Sequence, residues 1–169
     1  MTEQTSQDEK INSLLETAEA IRNQDLTPQK GPEQLFIYFR VKNEYYALKL
    51  KETREIIPQT PIYKVPGCEN YVLGVINLRG EIVPIIDLKR RLNLGESKLD
   101  TPFYIIVVKS FGEPIGLVVD DIEDIVGVSE VTPEEEQTLL EGKISVSKNG
   151  DLKAVGVLAL KRVLFPKGD

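Results

Sequence analysis

Two stretches of this chain repeat each other, and this internal repeat constrains the fold more than any other feature of the sequence. Residues 81–92 (EIVPIIDLKRRL) and residues 153–164 (KAVGVLALKRVL) match at five of twelve positions without a gap. A second match lies upstream in both copies, where Ala47, Leu48, Leu50, Glu55 and Ile56 correspond to Gly116, Leu117, Val119, Asp124 and Ile125. Because the two matches occur in the same order, we predict two related units, at about residues 35–94 and 102–165.

Both units have the hydrophobic pattern of short β-strands separated by turns. We predict strands at 35–41, 45–50, 52–57, 74–78 and 81–88 in the first unit, and at 103–108, 114–119, 122–128, 143–147 and 151–158 in the second. Pro84 and Gly156 occupy the same place in the two copies, and both residue types mark irregular strand positions. Small closed barrels need such irregularities, and closure removes exposed strand edges. We therefore predict two small β-barrels packed side by side.

Helical segments are predicted around these strands, with a long one at 7–23 and shorter ones at 88–94, 132–141 and 160–164. Ser6 and Glu9 have the spacing of a capping box before the first segment. Apolar side chains then recur on one helical face, formed by Ile11, Leu14, Leu15, Ala18 and Ile21. This face either packs on its own domain, or docks a partner or is partly disordered. Residues 25–33 contain two prolines and a glycine and predict a linker, so that 1–33 precede a main domain at 34–169.

Composition argues against several classes of function. The chain has no histidine and a single cysteine, which removes His-dependent nucleophile systems, most zinc sites and an intrachain disulfide. A net charge of −6 argues against a nucleic-acid-binding protein and against a polybasic membrane anchor. No apolar run approaches the roughly 20 residues that span a bilayer, and the polar N-terminus lacks the pattern of a secretory signal. We expect a cytoplasmic protein, without a cofactor, that binds other proteins.

An acidic segment at 113–136 holds nine carboxylates and no lysine or arginine. The spacing of Asp120, Asp121, Glu123 and Asp124 does not fit an EF-hand calcium loop, and nothing marks two acids as a catalytic pair. A solvated surface, or a field that attracts a basic partner, fits the segment better. An enzyme that uses carboxylates and a small barrel that binds single-stranded nucleic acid are the competing hypotheses.

The turn at residues 77–80 (NLRG) carries the clearest indication of a binding function. It joins two apolar strands, Gly80 can adopt a positive φ, and Arg79 is expected to stand in solvent at the tip. Residue type alone favours an ordinary turn cation. The second unit, however, makes its corresponding hairpin with Asn149 and Gly150 and no arginine. Since the hairpin does not require an arginine, we predict a recognition role for Arg79.

At this turn the sequence resembles a known family. GVINLRGEIVPIIDL, at residues 74–88, resembles the signature of CheW, the coupling protein of bacterial chemotaxis. Residues 44–57 and 115–128 are similar to the family's first-unit strands and to the opening of its second unit, so the resemblance covers about residues 34–165. It implies a mainly β fold of two SH3-like five-stranded barrels around a shared core, with short helices and an N-terminal helix. Two features depart from the family: the length of that helix, and Ala159, which stands where an acid is often found.

The resemblance also implies a function without catalysis. CheW-like proteins link the cytoplasmic hairpin of methyl-accepting chemoreceptors to the regulatory domain of a CheA-type histidine kinase, and some serve twitching or other surface responses. Carried over to this chain, the receptor-facing residues are Arg79 and Glu55, with Asn77, Leu78 and Gly80 shaping the turn. Glu55 has two possible roles, since its repeat counterpart is also acidic: contact with the receptor, or a pair with Arg79 that positions the turn. The implied location is the cytoplasm, at receptor arrays reached through partners, with no nucleic acid, metal or direct membrane insertion.

Overall fold

A computed structural model describes residues 2–23, 33–110, 112–135 and 138–166. Three helices are present among them: α1 (Thr2–Asn23), α2 (Leu88–Arg91) and α3 (Leu160–Leu164). The strands are β1 (Gln34–Val41), β2 (Glu44–Lys49), β3 (Thr53–Pro58), β4 (Val72–Leu78), β5 (Glu81–Asp87), β6 (Tyr104–Ser110), β7 (Glu113–Val119), β8 (Asp121–Val128), β9 (Thr132–Pro133), β10 (Leu140–Lys148) and β11 (Asp151–Leu158). A 3-10 turn, Leu50–Glu52, connects β2 to β3.

The strands form two sheets that each contain strands from both sequence units. The first sheet has the order β8-β1-β2-β11-β10-β9, and the second has the order β3-β6-β7-β5-β4. Under the repeat, β1 to β5 correspond in order to β6, β7, β8, β10 and β11. The third strand of each unit, β3 or β8, therefore pairs with the first strand of the other unit. The two units are exchanged through these strands, and neither unit forms a sheet by itself.

The strand register supports the alignment of the two units. In the first sheet β11 lies parallel to β2, with Val157 opposite Ala47. In the second sheet β5 lies parallel to β7, with Ile85 opposite Gly116. These two pairs are equivalent under the sequence repeat, because Ala47 corresponds to Gly116 and Val157 corresponds to Ile85.

Three apolar clusters fill the interior. One cluster draws side chains from five strands of the first sheet, including β8 and β10 on opposite sides, so that the sheet curves around it. A second cluster lies in the same way inside the other sheet. The third lies between the two sheets, and β1 shows the division: Phe36 and Tyr38 face the first interior, whereas Ile37 and Phe39 face the shared cluster. The prediction of a mainly β fold of two units around a shared core is confirmed.

Helix α1 packs on its own domain, across the line where the two sheets meet. It contacts β8 of the first sheet and β3 of the second. Leu14 and Ala18 are buried in the shared cluster. The Gln7 amide donates a hydrogen bond to the Phe103 carbonyl at 2.9 Å. Of the two interpretations of the apolar stripe, packing on the same domain holds for these residues, whereas Leu15 remains 56% exposed.

Several predicted boundaries were wrong. Helix α1 already begins at Thr2, so that Ser6 lies inside it and does not cap it. Helix α2 ends at Arg91, three residues before the predicted end, because Asn93 and Gly95 adopt positive φ values of 58° and 112°. Of the predicted linker at 25–33, residues 25–32 lie outside the described part of the chain.

The predicted helix at 132–141 is wrong in its described part. Thr132 and Pro133 form β9, which pairs with Lys143 and Gly142 of β10. Capping signals stabilise a short helix only marginally, and tertiary packing overrides them. Here Leu140 joins the shared cluster and lies against Gly156, where an added Cβ would come within 2.9 Å of its side chain.

Several acids of the segment at 113–136 form separate ion pairs, whereas Glu113 and Glu130 are exposed. Asp120 pairs with Lys89 of α2 at 3.0 Å, and Asp121 pairs with Lys10 of α1 at 2.5 Å. Glu123 pairs with a lysine of β10. Among the described residues no group of three or more His, Cys, Asp or Glu side chains could hold a metal ion. None of the helices formed by these residues is both long and apolar enough to cross a membrane.

Asp87 holds the end of the first unit together. Its carboxylate is fully buried and accepts hydrogen bonds from the Lys89 amide at 3.2 Å, the Ser97 amide at 2.9 Å and the Ser97 hydroxyl at 2.6 Å. It thereby caps α2 and fixes the loop that follows. In the second unit the corresponding residue is Ala159, and α3 has no side-chain cap.

Replacing Asp87 with alanine should lower the free energy of unfolding by about 3 kcal/mol, because three donors lose a buried charged acceptor. Urea denaturation measures the loss. Asp100→Ala, at an exposed acid of the following loop, is the control and should leave the midpoint almost unchanged. Equal stability of Asp87→Ala and wild type would show that water replaces the carboxylate without cost.

Gly74 allows a loop to approach the edge of β4. Tyr63 exchanges two backbone hydrogen bonds with Val75, at 2.9 and 2.8 Å, across this edge. Gly74 has a φ of +146°, and a Cβ on it would lie 2.2 Å from the Tyr63 carbonyl oxygen. Any other residue must push the loop away from the strand.

We expect Gly74→Ala to destabilise the fold by about 2–4 kcal/mol, in the range of a steric clash with backbone. Gly67→Ala is the matched control, because Gly67 also has a positive φ, +81°, but meets no atom within 4 Å. The control should cost only about 1 kcal/mol. Thermal and urea unfolding of both variants check the difference, and similar losses for both would contradict the steric explanation.

Candidate functional site

Arg79 occupies the tip of the β4–β5 hairpin. Arg79 and Gly80 have φ values of 53° and 86°, and Leu78 pairs with Glu81 on either side of them. Two successive positive φ values are typical of the type I′ turns that close two-residue hairpins. The Asn77 side-chain oxygen accepts a hydrogen bond from the Gly80 amide at 2.8 Å. The Arg79 side chain is 65% exposed, in agreement with the prediction that it stands in solvent.

Glu55 of β3 forms a bidentate ion pair with Arg79. One guanidinium nitrogen lies 3.1 Å from Glu55 Oε1 and the other lies 2.5 Å from Oε2. In sequence the two residues are 24 positions apart. β3 and β4 are the outer strands of their sheet, so the pair joins its two edges. The structure therefore brings together Arg79 and Glu55, the two residues that the family resemblance implied as receptor-facing.

A second ion pair extends this contact. Arg54 donates to Glu81 at 2.8 Å, and its Nε lies 3.8 Å from Glu55 Oε2. Arg54 is displaced from the regular ladder, because the pairing of β3 with β6 shifts between Thr53 and Glu55. The bulge turns two consecutive side chains toward the hairpin. Sequence reasoning missed Arg54 and Glu81, since only the pairing of distant strands identifies them.

The second unit provides an internal comparison. Its hairpin places Asn149 and Gly150 at φ values of 53° and 85°, with the same backbone as Arg79 and Gly80. β8 carries a matching bulge at Glu123, and Glu123 pairs with Lys148, beside that turn, at 2.7 Å. An ion pair between bulged strand and hairpin is therefore a feature of both units. What differs is the tip, where asparagine is more favourable than arginine in the left-handed backbone.

The surroundings of the turn make Arg79 available to a partner. Asn77 is exposed, and opposite it on β5 lies Ile82, an apolar side chain that is 60% exposed. Leu78 is half-buried and packs on the interior cluster of its sheet, which anchors the turn. Ile82 was not predicted as a site residue, although Val83 next to it faces the core and the alternation places Ile82 in solvent.

The positive charge of Arg79 does not change with pH in the physiological range. Hydrogen bonds to the Glu55 carboxylate, together with its charge, raise the pKa of the Arg79 guanidinium above its ordinary value. Arg79 therefore stays protonated throughout the neutral range. A guanidinium has five donors, and the pair with Glu55 uses only part of them. The remaining donors can bind carbonyl or carboxylate oxygens of another protein.

Comparison with known proteins agrees with this geometry. The model of the CheW-like domain matches residues 35–164. The chain is 37% identical over 105 residues to chemotaxis protein CheW of Bacillus subtilis, covering 62% of this chain and 67% of that protein. It is 38% identical over 94 residues to CheW of Rhizobium meliloti, covering 56% of this chain and 61% of the relative.

A solved structure shows the same fold. The scaffolding protein TtCheW from Thermoanaerobacter tengcongensis superposes with a TM-score of 0.69 at 27% identity, covering 81% of this chain and 96% of that chain. The matched residues include both exchanged strands and the hairpin that carries Arg79. The chain therefore belongs to the family of CheW-like domain proteins.

Proposed function

We propose that this protein is a non-enzymatic cytoplasmic adaptor that couples the cytoplasmic hairpin of chemoreceptors to a CheA-type histidine kinase. In this proposal Arg79 and Glu55 form the receptor-binding site, and Asn77, Leu78 and Gly80 hold the turn in shape. Coupling needs no bond to be made or broken, because the adaptor acts by binding two partners at once. Receptor state then reaches the kinase through the relative position of the two bound partners.

Membership of the CheW-like family is the observation that carries the proposal. The two curated relatives are chemotaxis proteins, and the solved relative is a scaffolding protein. The arginine at the hairpin tip adds support from this chain alone. Its backbone conformation favours glycine or asparagine, and the second unit has asparagine at the corresponding position, so the turn itself does not require the arginine.

A reconstituted kinase assay tests the proposal. The chain is mixed with a CheA-type kinase and receptor cytoplasmic fragments, and phosphorylation is followed with and without the chain. Stimulation that requires both the receptor fragments and the chain supports the proposal. If there is no stimulation, and a pull-down finds neither partner bound, the coupling function is wrong for these partners.

Replacing Arg79 with asparagine should separate binding from stability. Asparagine is the residue that the second unit uses at the same φ, so the melting temperature should stay equal or rise slightly. Receptor affinity should fall roughly tenfold or more, since an arginine anchor is lost. Differential scanning fluorimetry and a binding titration with receptor fragments measure the two effects.

Lys42→Asn is the matched control for this variant. Lys42 is an exposed cation at φ 59° in the β1–β2 hairpin, so a cation is replaced by asparagine in a similar backbone in the other sheet. The control should bind receptor fragments as the wild type does. Receptor binding by folded Arg79→Asn at wild-type strength would remove Arg79 from the site.

A double-mutant cycle distinguishes the two roles of Glu55. If Glu55 only positions Arg79, adding Glu55→Gln to Arg79→Asn should cause no further loss of receptor affinity. If Glu55 also contacts the receptor, the double variant should bind several-fold more weakly than Arg79→Asn alone. Isothermal titration calorimetry with one receptor fragment provides all four affinities. An increase in affinity on adding Glu55→Gln would contradict both roles.

A further inference from the structure

The tip of the β10–β11 hairpin carries the only Asn-Gly pair in the sequence. Asn149 is followed by Gly150, and both residues are exposed. They are the two tip residues of the turn, because Lys148 pairs with Asp151 on either side of them. Glycine has no Cβ to shield its backbone nitrogen from the side chain of the preceding asparagine. This pair therefore has the two residue types between which an asparagine side chain and the following amide react most readily.

The backbone nitrogen of Gly150 is available for such a reaction. In the first unit, the corresponding Gly80 amide donates a hydrogen bond to the Asn77 side-chain oxygen at 2.8 Å. Ser147 stands at the position of Asn77 in the second hairpin, and among the hydrogen bonds that the described residues form, none uses the Gly150 amide. A Cβ added at Gly150 would meet no atom within 4 Å, so solvent has free access to the turn. Two hairpins with the same backbone thus differ in the state of this nitrogen.

We propose that Asn149 is a site of spontaneous deamidation, a modification of the chain that consumes only water. The Gly150 nitrogen loses its proton to hydroxide and attacks Cγ of Asn149. The new N–Cγ bond closes a five-membered succinimide ring, the Cγ–Nδ2 bond breaks, and the side-chain nitrogen takes up a proton and leaves as ammonia. Water then adds to one of the two ring carbonyl carbons and breaks its bond to the Gly150 nitrogen. Opening at Cγ gives aspartate, whereas opening at the backbone carbonyl gives isoaspartate, and neither step changes an oxidation state.

The two products affect the hairpin differently. Both add a negative charge between Lys148, which is paired with Glu123 of β8 at 2.7 Å, and Asp151. Aspartate tolerates the left-handed backbone as asparagine does, so this product keeps the shape of the turn. Isoaspartate lengthens the backbone of a two-residue turn whose geometry must match the strands, and this weakens the pairing of β10 with β11. The modification changes the second unit and leaves Arg79 untouched, so it is independent of the coupling function.

Peptide mapping of the ageing protein tests the proposal. The purified full chain is incubated at neutral and mildly alkaline pH, and digestion with chromatography and mass spectrometry separates the asparagine, aspartate and isoaspartate forms. We expect both products at Asn149, with a rate that rises in proportion to hydroxide concentration. Asn43 is the internal control, since it is exposed in the β1–β2 turn but precedes Glu44, and it should stay unchanged. Conversion at Asn149 in the urea-unfolded chain but not in the folded chain would overturn the proposal.

The first hairpin provides a matched test of the structural reason. Arg79→Asn places an asparagine before Gly80 in the same backbone conformation, but there the glycine amide is bonded to Asn77. Conversion at position 79 of this variant should therefore be several-fold slower than conversion at Asn149 in the same molecule. Adding Asn77→Ser, which reproduces Ser147 of the second hairpin, should remove most of the difference. Equal rates at both positions in the single variant would show that the free amide does not select Asn149.

Thermal unfolding tests the different effects of the two products. Asn149→Asp reproduces the aspartate product, and its melting temperature should equal that of fresh wild type. Aged wild type should contain a second population that unfolds at lower temperature, in proportion to its isoaspartate content. Aged protein rich in isoaspartate that unfolds as Asn149→Asp does would contradict the effect assigned to the lengthened turn.

Discussion

The exchange of β3 and β8 between the two sequence units is the constraint on which the rest of the structure depends. Each exchanged strand pairs with the first strand of the other unit, and this fixes β1 and β6 in the interior of their sheets. Both faces of these strands are buried, one in the interior of its sheet and one in the shared cluster. Burying a large apolar side chain contributes about 1.5–3 kcal/mol. Neither unit can bury its first strand in this way alone, so we expect the two to fold as one.

The exchange also creates the candidate site. Because β3 crosses to the second sheet, its bulge faces the β4–β5 hairpin from the opposite edge. The ion pair of Glu55 and Arg79 forms at that meeting point. The equivalent pair in the other sheet, Glu123 with Lys148, shows that the arrangement belongs to the fold. The arginine stands at the tip of this arrangement, at a backbone position that asparagine fits better.

The two sheets are similar in construction and different in surface. In one, the hairpin ends in an exposed cation beside an exposed Ile82. In the other it ends in Asn149 and Gly150. Helix α1 adds a further difference, since it lies between β3 and β8 and forms a groove with β3. A duplicated fold thus offers two unlike faces.

The sequence by itself determined the repeat, nearly all the strands, the hairpin turns and the exposure of Arg79. These features depend on local pattern: alternation of apolar residues, glycine at positive φ and asparagine-glycine at a turn. Only the tertiary structure decided that β3 and β8 pair with the other unit. No local pattern distinguishes a strand that pairs within its own unit from one that pairs with the other unit. It also decided that residues 132–133 form a strand, since the packing of Leu140 against Gly156 outweighs weak helix signals. The roles of Asp87 and Arg54 depend on partners elsewhere in the fold, and such partners become visible only when distant segments meet.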